Sequence, residues 1–165
     1  MALSKGLTGG TLPLGVTTCS DKIVSAFVSE DVSHTFFHGH SYTANPLACA
    51  AANASFRLLT NAECKHQIRM IGDKHIQFIQ TLIGHKKLKR AKSLGTILSL
   101  ELATNEATSY TNQARKHIYK YFLDRNILLR PLGNIIYVLP PYVITSAELD
   151  HIYQAITAFL ENEWK

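Results

Sequence analysis

Charge is scarce in this chain. Asp, Glu, Lys and Arg make up 18% of its 165 residues, against about 25% in typical soluble domains. Apolar residues reach 46%. A surface this poor in charge implies cover, either from a further portion of the same protein or from a second subunit. Cysteine is sparse too. Cys19, Cys49 and Cys64 are odd in number and show no C-x-x-C spacing, which argues against a disulfide framework or a structural zinc site and for a reducing, cytoplasmic setting. No apolar run is long enough to span a bilayer, so no membrane partner is expected. The first residues lack the basic flank and apolar core of a secretion signal. Internal repeats and low-complexity tracts are absent.

What charge there is has a basic excess, +5 net with a sequence pI near 9.2. Much of it sits in Lys86-Lys87-Leu88-Lys89-Arg90-Ala91-Lys92. Such a run can hold nucleic-acid phosphates. No aromatic residue is interleaved with it, which removes the stacking platform that single strands need. The expectation is a solvated loop between two elements and no nucleic-acid partner.

The chain opens abruptly. Met1 to Lys5 reads as the end of a buried strand with no solvated lead-in, so a missing upstream portion is expected. Leu14 to Cys19 reads as a strand after a Gly/Pro turn. Ser20 can cap a short helix carrying Ile23, Val24, Phe27 and Val28. Asn45-Pro46 is a helix start, Asn at the N-cap and Pro at the first helical position. The alanine-rich helix that follows, Leu47 to Leu59, suits close packing in a buried place. A second helix from near Asn61 puts Cys64, Ile68, Ile71, His75, Phe78, Ile79 and Leu82 on one face, with Gly84 as its stop. Ile97, Leu98, Leu100 and Leu102 mark a strand. A third helix is expected over Ser109 to Asp124. Two strands follow, Ile127 to Arg130 and Ile135 to Leu139, turning at Pro131 to Asn134. Thr145 with Glu148 three residues on is a capping box for a last helix. From about residue 60 the order is helix, strand, helix, two strands, helix, a compact α+β layer.

Three constellations carry chemistry. Ser4-Lys5-Gly6-Leu7-Thr8-Gly9-Gly10-Thr11 sets a lysine at the head of a glycine-rich turn. An amine there becomes a nucleophile if burial or a cationic neighbour deprotonates it, and glycines admit a bulky planar ligand. A plain surface lysine is the other reading. It is no Walker loop, because the lysine precedes the glycines. His38-Gly39-His40-Ser41-Tyr42-Thr43-Ala44-Asn45-Pro46 places hydroxyl and backbone donors before a helix N-terminus, a natural phosphate site. A polar capping turn and a metal site from His34, His38 and His40 are the rivals, and no carboxylate or cysteine in the loop completes the latter. Leu128-Leu129-Arg130-Pro131-Leu132-Gly133 holds an arginine between apolar residues and a proline, fit to grip a carboxylate bidentately. An internal salt bridge to Glu101 or Asp150 is the alternative.

Taken in order, Lys5-Gly-Leu-Thr-Gly-Gly, the His-Gly-His-Ser-Tyr-Thr-Ala-Asn-Pro-Leu-Ala-Cys-Ala stretch, Leu129-Arg130-Pro-Leu-Gly and Ile136-Tyr-Val-Leu-Pro-Pro-Tyr142 resemble class III pyridoxal-phosphate-dependent aminotransferases. The likeness spans nearly the whole chain. Its Asn45 to Ser55 run and its Tyr-Val-Leu-Pro-Pro-Tyr end are closest to the members that serve biotin biosynthesis.

The resemblance implies a C-terminal fragment of an α/β, fold-type I transferase. Residues 1–59 would be the end of the cofactor-binding large domain with its connecting helix, and 60–165 a small C-terminal α+β domain. It implies pyridoxal 5'-phosphate as cofactor, held covalently by Lys5, which is also the catalytic residue. His40 and Ser41 match the family's phosphate-contacting pair, which serves the neighbouring subunit's cofactor and so implies a homodimer. The family more often has Pro and Thr at these two positions, so Ser41 keeps the hydroxyl while His40 departs. Gly39 matches a substrate-lining glycine and Arg130 the arginine that binds the substrate carboxylate. The implied reaction moves the amino group of S-adenosylmethionine to 8-amino-7-oxononanoate, both small-molecule substrates. No metal ligand is assigned. The groups that stack on the cofactor ring and pair with its nitrogen lie outside this chain, so the fragment alone is expected to be inactive. Another class III omega-aminotransferase and a non-catalytic dimerisation module derived from one are the alternative readings.

Overall fold

The computed structural model describes residues 1–164. They form two compact units, Met1–Asn61 and a second from Ala62 onward.

The first unit has little regular structure. Strand β1 (Ala2–Leu3) pairs antiparallel with β2 (Val16–Thr17). Both strands are exposed, so the expected buried opening strand and the longer strand over 14–19 are corrected. Helix α1 (Asp21–Val24) is short, as expected, but its one turn carries only Ile23 and Val24 of the expected Ile23, Val24, Phe27 and Val28, and it buries no residue. Helices in proteins draw most of their stability from packing an apolar face, and all four of those side chains lie exposed. Helix α2 (Pro46–Thr60) starts as the sequence requires, Asn45 Oδ1 accepting the Leu47 N–H at 2.9 Å and Pro46 at the first position. It is not the buried helix its alanines suggested, since only Ala48 is buried.

The second unit is a sheet with helices packed on it. Helix α3 (Ala62–Thr81) leads to the antiparallel strands β3 (Leu88–Leu94), β4 (Ile97–Leu102) and β5 (Ile135–Val138), in the order β3-β4-β5. Helix α4 (Ala114–Leu123) lies between β4 and β5, and α5 (Ser146–Ala158) follows. Strand pleating sends alternate residues to opposite faces. Leu98, Leu100 and Leu102 of β4 and Ile136 of β5 are fully buried, in one cluster with Ile71 of α3, Phe122 of α4 and Ile156 of α5. The opposite face carries Ser99 and Glu101.

The basic run is a loop only at Lys86 and Lys87. Leu88 to Leu94 form β3, paired along β4 with a register shift between Leu88 and Arg90. A bulge of this kind sets two residues against one, and here Lys89 and Arg90 both reach Glu101. Alternating charge and bulging also suit an edge strand, whose free backbone groups would otherwise pair with another chain.

Two further boundaries moved. The third helix begins at Ala114 rather than near Ser109, because Asn112 is buried and its side chain binds Thr104, Ala107 and the Ala114 N–H. That chemistry competes with helix backbone bonding. Asn126, at φ +59, ends α4: its own N–H donates to Leu123 and that of Ile127 to Phe122, a Schellman closure. Residues 127–130, expected as a strand, join none. Ile127 and Leu129 turn inward while Leu128 and Arg130 face out.

His75 of α3 is fully buried. Its Nε2 faces the Thr96 carbonyl at 3.1 Å and its Nδ1 the Tyr153 hydroxyl at 2.7 Å. A carbonyl only accepts, so Nε2 carries the proton and Nδ1 accepts from Tyr153. Burial lowers the His75 pKa, against a smaller opposing effect of the Thr96 carbonyl. The unfolded chain then binds this proton first as pH falls. Stability is expected to be whole above the ordinary histidine value of about 6.5 and to fall below it. Thermal melts between pH 7.5 and 5 should show that slope, and His75→Gln should flatten it.

Gly133 sits at φ +61, and a Cβ there would lie 1.7 Å from the Ser109 carbonyl oxygen. Gly133→Ala is expected to destabilise the second unit by about 3 kcal/mol or more, from strain and clash together, read by denaturant unfolding.

Candidate functional site

Past Ser4 the chain makes a single 3-10 turn, Lys5–Thr8. Lys5 holds φ +54, a left-handed conformation that costs a side-chain-bearing residue about 1–3 kcal/mol. The neighbourhood enforces it. Thr8 is buried, donates its hydroxyl to the Leu12 carbonyl at 2.5 Å and accepts the Leu12 N–H at 3.3 Å. The Thr11 hydroxyl donates to the Thr8 carbonyl at 2.8 Å. Gly9, at φ +60, has Ser55 Oγ 3.3 Å from where a Cβ would be. The turn thus rests on α2, on the face where Ala48, Ala51, Ala52 and Ser55 recur at helical spacing. The alanines admit this close approach. The Lys5 side chain is exposed and has no hydrogen bond or ion pair among the described residues.

The loop before α2 is tied to itself. The His40 backbone N–H donates to Thr43 Oγ1 at 2.9 Å, and His40 Nδ1 accepts the Tyr42 N–H at 3.1 Å. The Thr43 N–H returns to the His40 carbonyl at 2.9 Å. Ala44, at φ +55, turns the chain into the Asn45 cap. His40 therefore spends its backbone donor and one ring nitrogen inside the loop. Ser41 keeps a hydroxyl with no partner among the described residues. Gly39 is exposed, and a Cβ there would meet only Thr43 Oγ1, at 3.4 Å. Among the described residues no three His, Cys, Asp or Glu side chains stand close enough to hold a metal ion.

Arg130 belongs to the second unit. It is exposed, between buried Leu129 and buried Pro131, and it makes no ion pair among the described residues. Both acids that would have made it structural are engaged elsewhere. Asp150 binds Lys74 at 2.6 Å. Glu101, only 4% exposed, takes Arg90 at 2.8 Å, Lys89 at 3.1 Å and the Thr108 hydroxyl at 2.6 Å. The Thr108 hydrogen bond first, then the two cations, holds the Glu101 carboxyl below the usual range despite burial. The internal salt-bridge reading of Arg130 therefore falls. A groove of about 630 Å³, lined by Leu128, Leu129, Val138, Leu139 and Ile152 among others, runs beside this segment, and Arg130 is not among its lining residues.

The profile of the family described as Aminotransferase class-III matches residues 1–160. The chain belongs to the class III aminotransferases. Among relatives of this family, the adenosylmethionine-8-amino-7-oxononanoate aminotransferase of Synechococcus elongatus is 42% identical over 161 residues, which cover 98% of this chain and 37% of that protein. The protein of the same name from Methanocaldococcus jannaschii is 34% identical over 174 residues, covering 94% and 36%. A crystal structure of that enzyme from M. jannaschii superposes with a TM-score of 0.84 at 29% identity, covering 97% of this chain and 38% of the other. An amine transaminase from an uncultivated Pseudomonas species, in its PLP-bound form, matches with a TM-score of 0.80 at 26% identity, covering 95% and 37%. The chain thus spans a little over a third of the length of these class III relatives, and its fold is that of the corresponding piece of a fold-type I transferase.

The sequence motifs pointed to Lys5, the His40–Ser41 loop and Arg130. They did not show the hydrogen bonds by which Thr108 meets Glu101 and Asn134 meets Thr108, which form only in the folded chain. The one legible signal was an acid set among the leucines of β4, opposite a basic run.

Arg130→Ala is expected to leave stability within about 0.5 kcal/mol, as an exposed unpaired side chain should. Glu101→Gln, which leaves Lys89 and Arg90 facing a neutral group, is expected to cost about 1–3 kcal/mol. Urea unfolding of the two variants distinguishes a binding arginine from a structural carboxylate.

Proposed function

We propose that this chain provides the cofactor-anchoring lysine and the carboxylate-binding arginine of an adenosylmethionine–8-amino-7-oxononanoate aminotransferase in biotin biosynthesis. The observation that carries the reading is Lys5: a lysine with its amine unengaged, on strained backbone that the Thr8–Leu12 turn and α2 hold in place. Strain retained at one lysine of a class III chain is the mark of a functional position. Relatives bearing that enzyme's name at up to 42% identity support the substrate assignment.

The residues present fit pyridoxal phosphate at two points. Lys5 offers a free primary amine to an aldehyde. Ser41 offers a free hydroxyl ahead of the N-terminus of α2, whose dipole favours a phosphate. When bound, the cofactor supplies an electron sink for the carbon that loses its proton. Lys5 would hold the aldehyde covalently, and its Nζ would carry the proton to and from the substrate carbon as general base and acid. Arg130 would grip the substrate carboxylate with two parallel N–H donors. Gly39 would leave room for substrate where a side chain would intrude. His40, its Nδ1 spent on Tyr42, would shape the loop.

Ser41 would serve the cofactor of a neighbouring copy, which makes a homodimer part of the proposal. Exposed apolar side chains on either side of it in sequence support this: Phe37 is 79% and Leu47 72% exposed, and Phe36 and Tyr42 are exposed as well. Exposed apolar surface of this kind favours an interface.

Borohydride reduction of the chain mixed with equimolar pyridoxal phosphate should leave the stable pyridoxyl tag chiefly on Lys5, located by peptide mass mapping. A tag carried by another lysine while Lys5 stays free overturns the reading. Turnover of S-adenosylmethionine and 8-amino-7-oxononanoate by the chain alone is expected to be absent or slight, because it covers 37% of the relative's length. Sedimentation should show a dimer that Leu47→Asp dissociates.

A further inference from the structure

Arg130 lies on an arm that would slide if its turn were loose. Leu132 and Ile135 exchange backbone hydrogen bonds at 2.9 and 3.0 Å, with Gly133 and Asn134 as the turn between them. Asn134 is fully buried. Its backbone carbonyl accepts the Leu102 N–H at 3.0 Å, and its side-chain Nδ2 donates to the Leu102 carbonyl at 2.9 Å. One residue is thus clamped to one β4 residue through both main chain and side chain. Nδ2 also donates to Thr108 Oγ1 at 3.3 Å. Thr108 spends its own proton on Glu101, so towards Asn134 it is an acceptor. That settles the carboxamide orientation, with the NH2 facing two acceptors. Oδ1 is left buried with no hydrogen-bond partner among the described residues.

Natural proteins seldom bury an unpartnered polar atom. A turn built for stability alone would use a side chain that satisfies both ends or neither. This carboxamide keeps its donors and forgoes its acceptor, and what the donors secure is the position of the 132–135 turn. Glu101, Thr108 and Asn134 form a line of charge-assisted and neutral hydrogen bonds from the bulge of β3 to a point four residues past Arg130.

We infer that Asn134 and Thr108 are positioning residues for Arg130, fixing the backbone from which its guanidinium reaches the carboxylate of a small-molecule substrate. The inference rests on the reading of Arg130 as the carboxylate-binding arginine. Neither residue touches substrate. A fixed backbone loses less freedom when it binds, and a floppy one binds more weakly for the same contacts.

The test is an NMR titration of the isotope-labelled chain with 8-amino-7-oxononanoate, following the Arg130 side-chain Nε–Hε signal and the backbone signals of 129–135. Arg130→Ala is the control for the reading itself. Thr108→Ser keeps the hydroxyl and should bind like the parent. Thr108→Val keeps the shape, removes the acceptor, and should weaken binding at least fivefold while the backbone signals of 129–135 move towards their unstructured positions. Asn134→Ala should do the same. If it fails to fold, the Ser/Val pair decides. Core resonances from α5 should stay in place throughout. Arg130-dependent binding in the parent that survives within twofold in both Thr108→Val and a folded Asn134→Ala overturns the positioning role alone. Absence of Arg130-dependent binding in the parent overturns the carboxylate reading and the inference with it.

Discussion

A single buried carboxylate organises the part of the second unit that bears on chemistry. Glu101 draws Lys89 and Arg90 across the β3 bulge and takes the Thr108 hydroxyl from the segment between β4 and α4. An isolated buried charge would be prohibitive, and it is tolerated here because partners satisfy both oxygens. Thr108, held this way, presents its lone pair to Asn134. The turn after Arg130 is then pinned to β4, with Gly133 pressed against the Ser109 carbonyl. Two cations of the basic run that looked like a solvated loop, Lys89 and Arg90, therefore belong to an ion-pair cluster on a strand.

The first unit works by a different device. It has almost no buried core of its own, and its conformation comes from short-range hydrogen bonds: Thr8 with Leu12, His40 with Thr43, Asn45 with Leu47. These hold three backbone features that apolar packing does not: φ +54 at Lys5, φ +55 at Ala44, and the capped start of α2. Small residues on α2 let the lysine turn approach closely. Its many exposed aromatic and aliphatic side chains agree with the low charge content of the chain, and both fit a surface that a partner covers.

The sequence was most legible where a local rule is strong. Asn45-Pro46 and the Thr145/Glu148 capping box start α2 and α5 where they should, because caps satisfy backbone donors within a few residues. The apolar faces of α3 and α5 and the alternation of β4 were readable because periodicity reports burial directly. Reading failed where tertiary contacts override local preference. Lys and Arg in sequence look like loop until a facing carboxylate and a bulge make them strand. Residues 20–28 have helical spacing, yet no surface of the first unit buries them, and one turn forms. Ser109 to Gln113 have helical potential, yet Asn112 draws the chain into a polar cap.

By itself the sequence determined the capped starts of α2 and α5, the apolar faces of α3 and α5, strand β4, and the motifs by which the chain resembles the class III aminotransferases, but not the order of strands, since β3 read as a loop and 127–130 as a strand. These depend on chemistry within a few residues or on period. Only the tertiary structure decided that Arg130 is unpaired, that Glu101 belongs to Lys89, Arg90 and Thr108, and that Asn134 clamps the turn. Those groups lie up to 45 residues apart in the chain, and nothing local states which acid will meet which base.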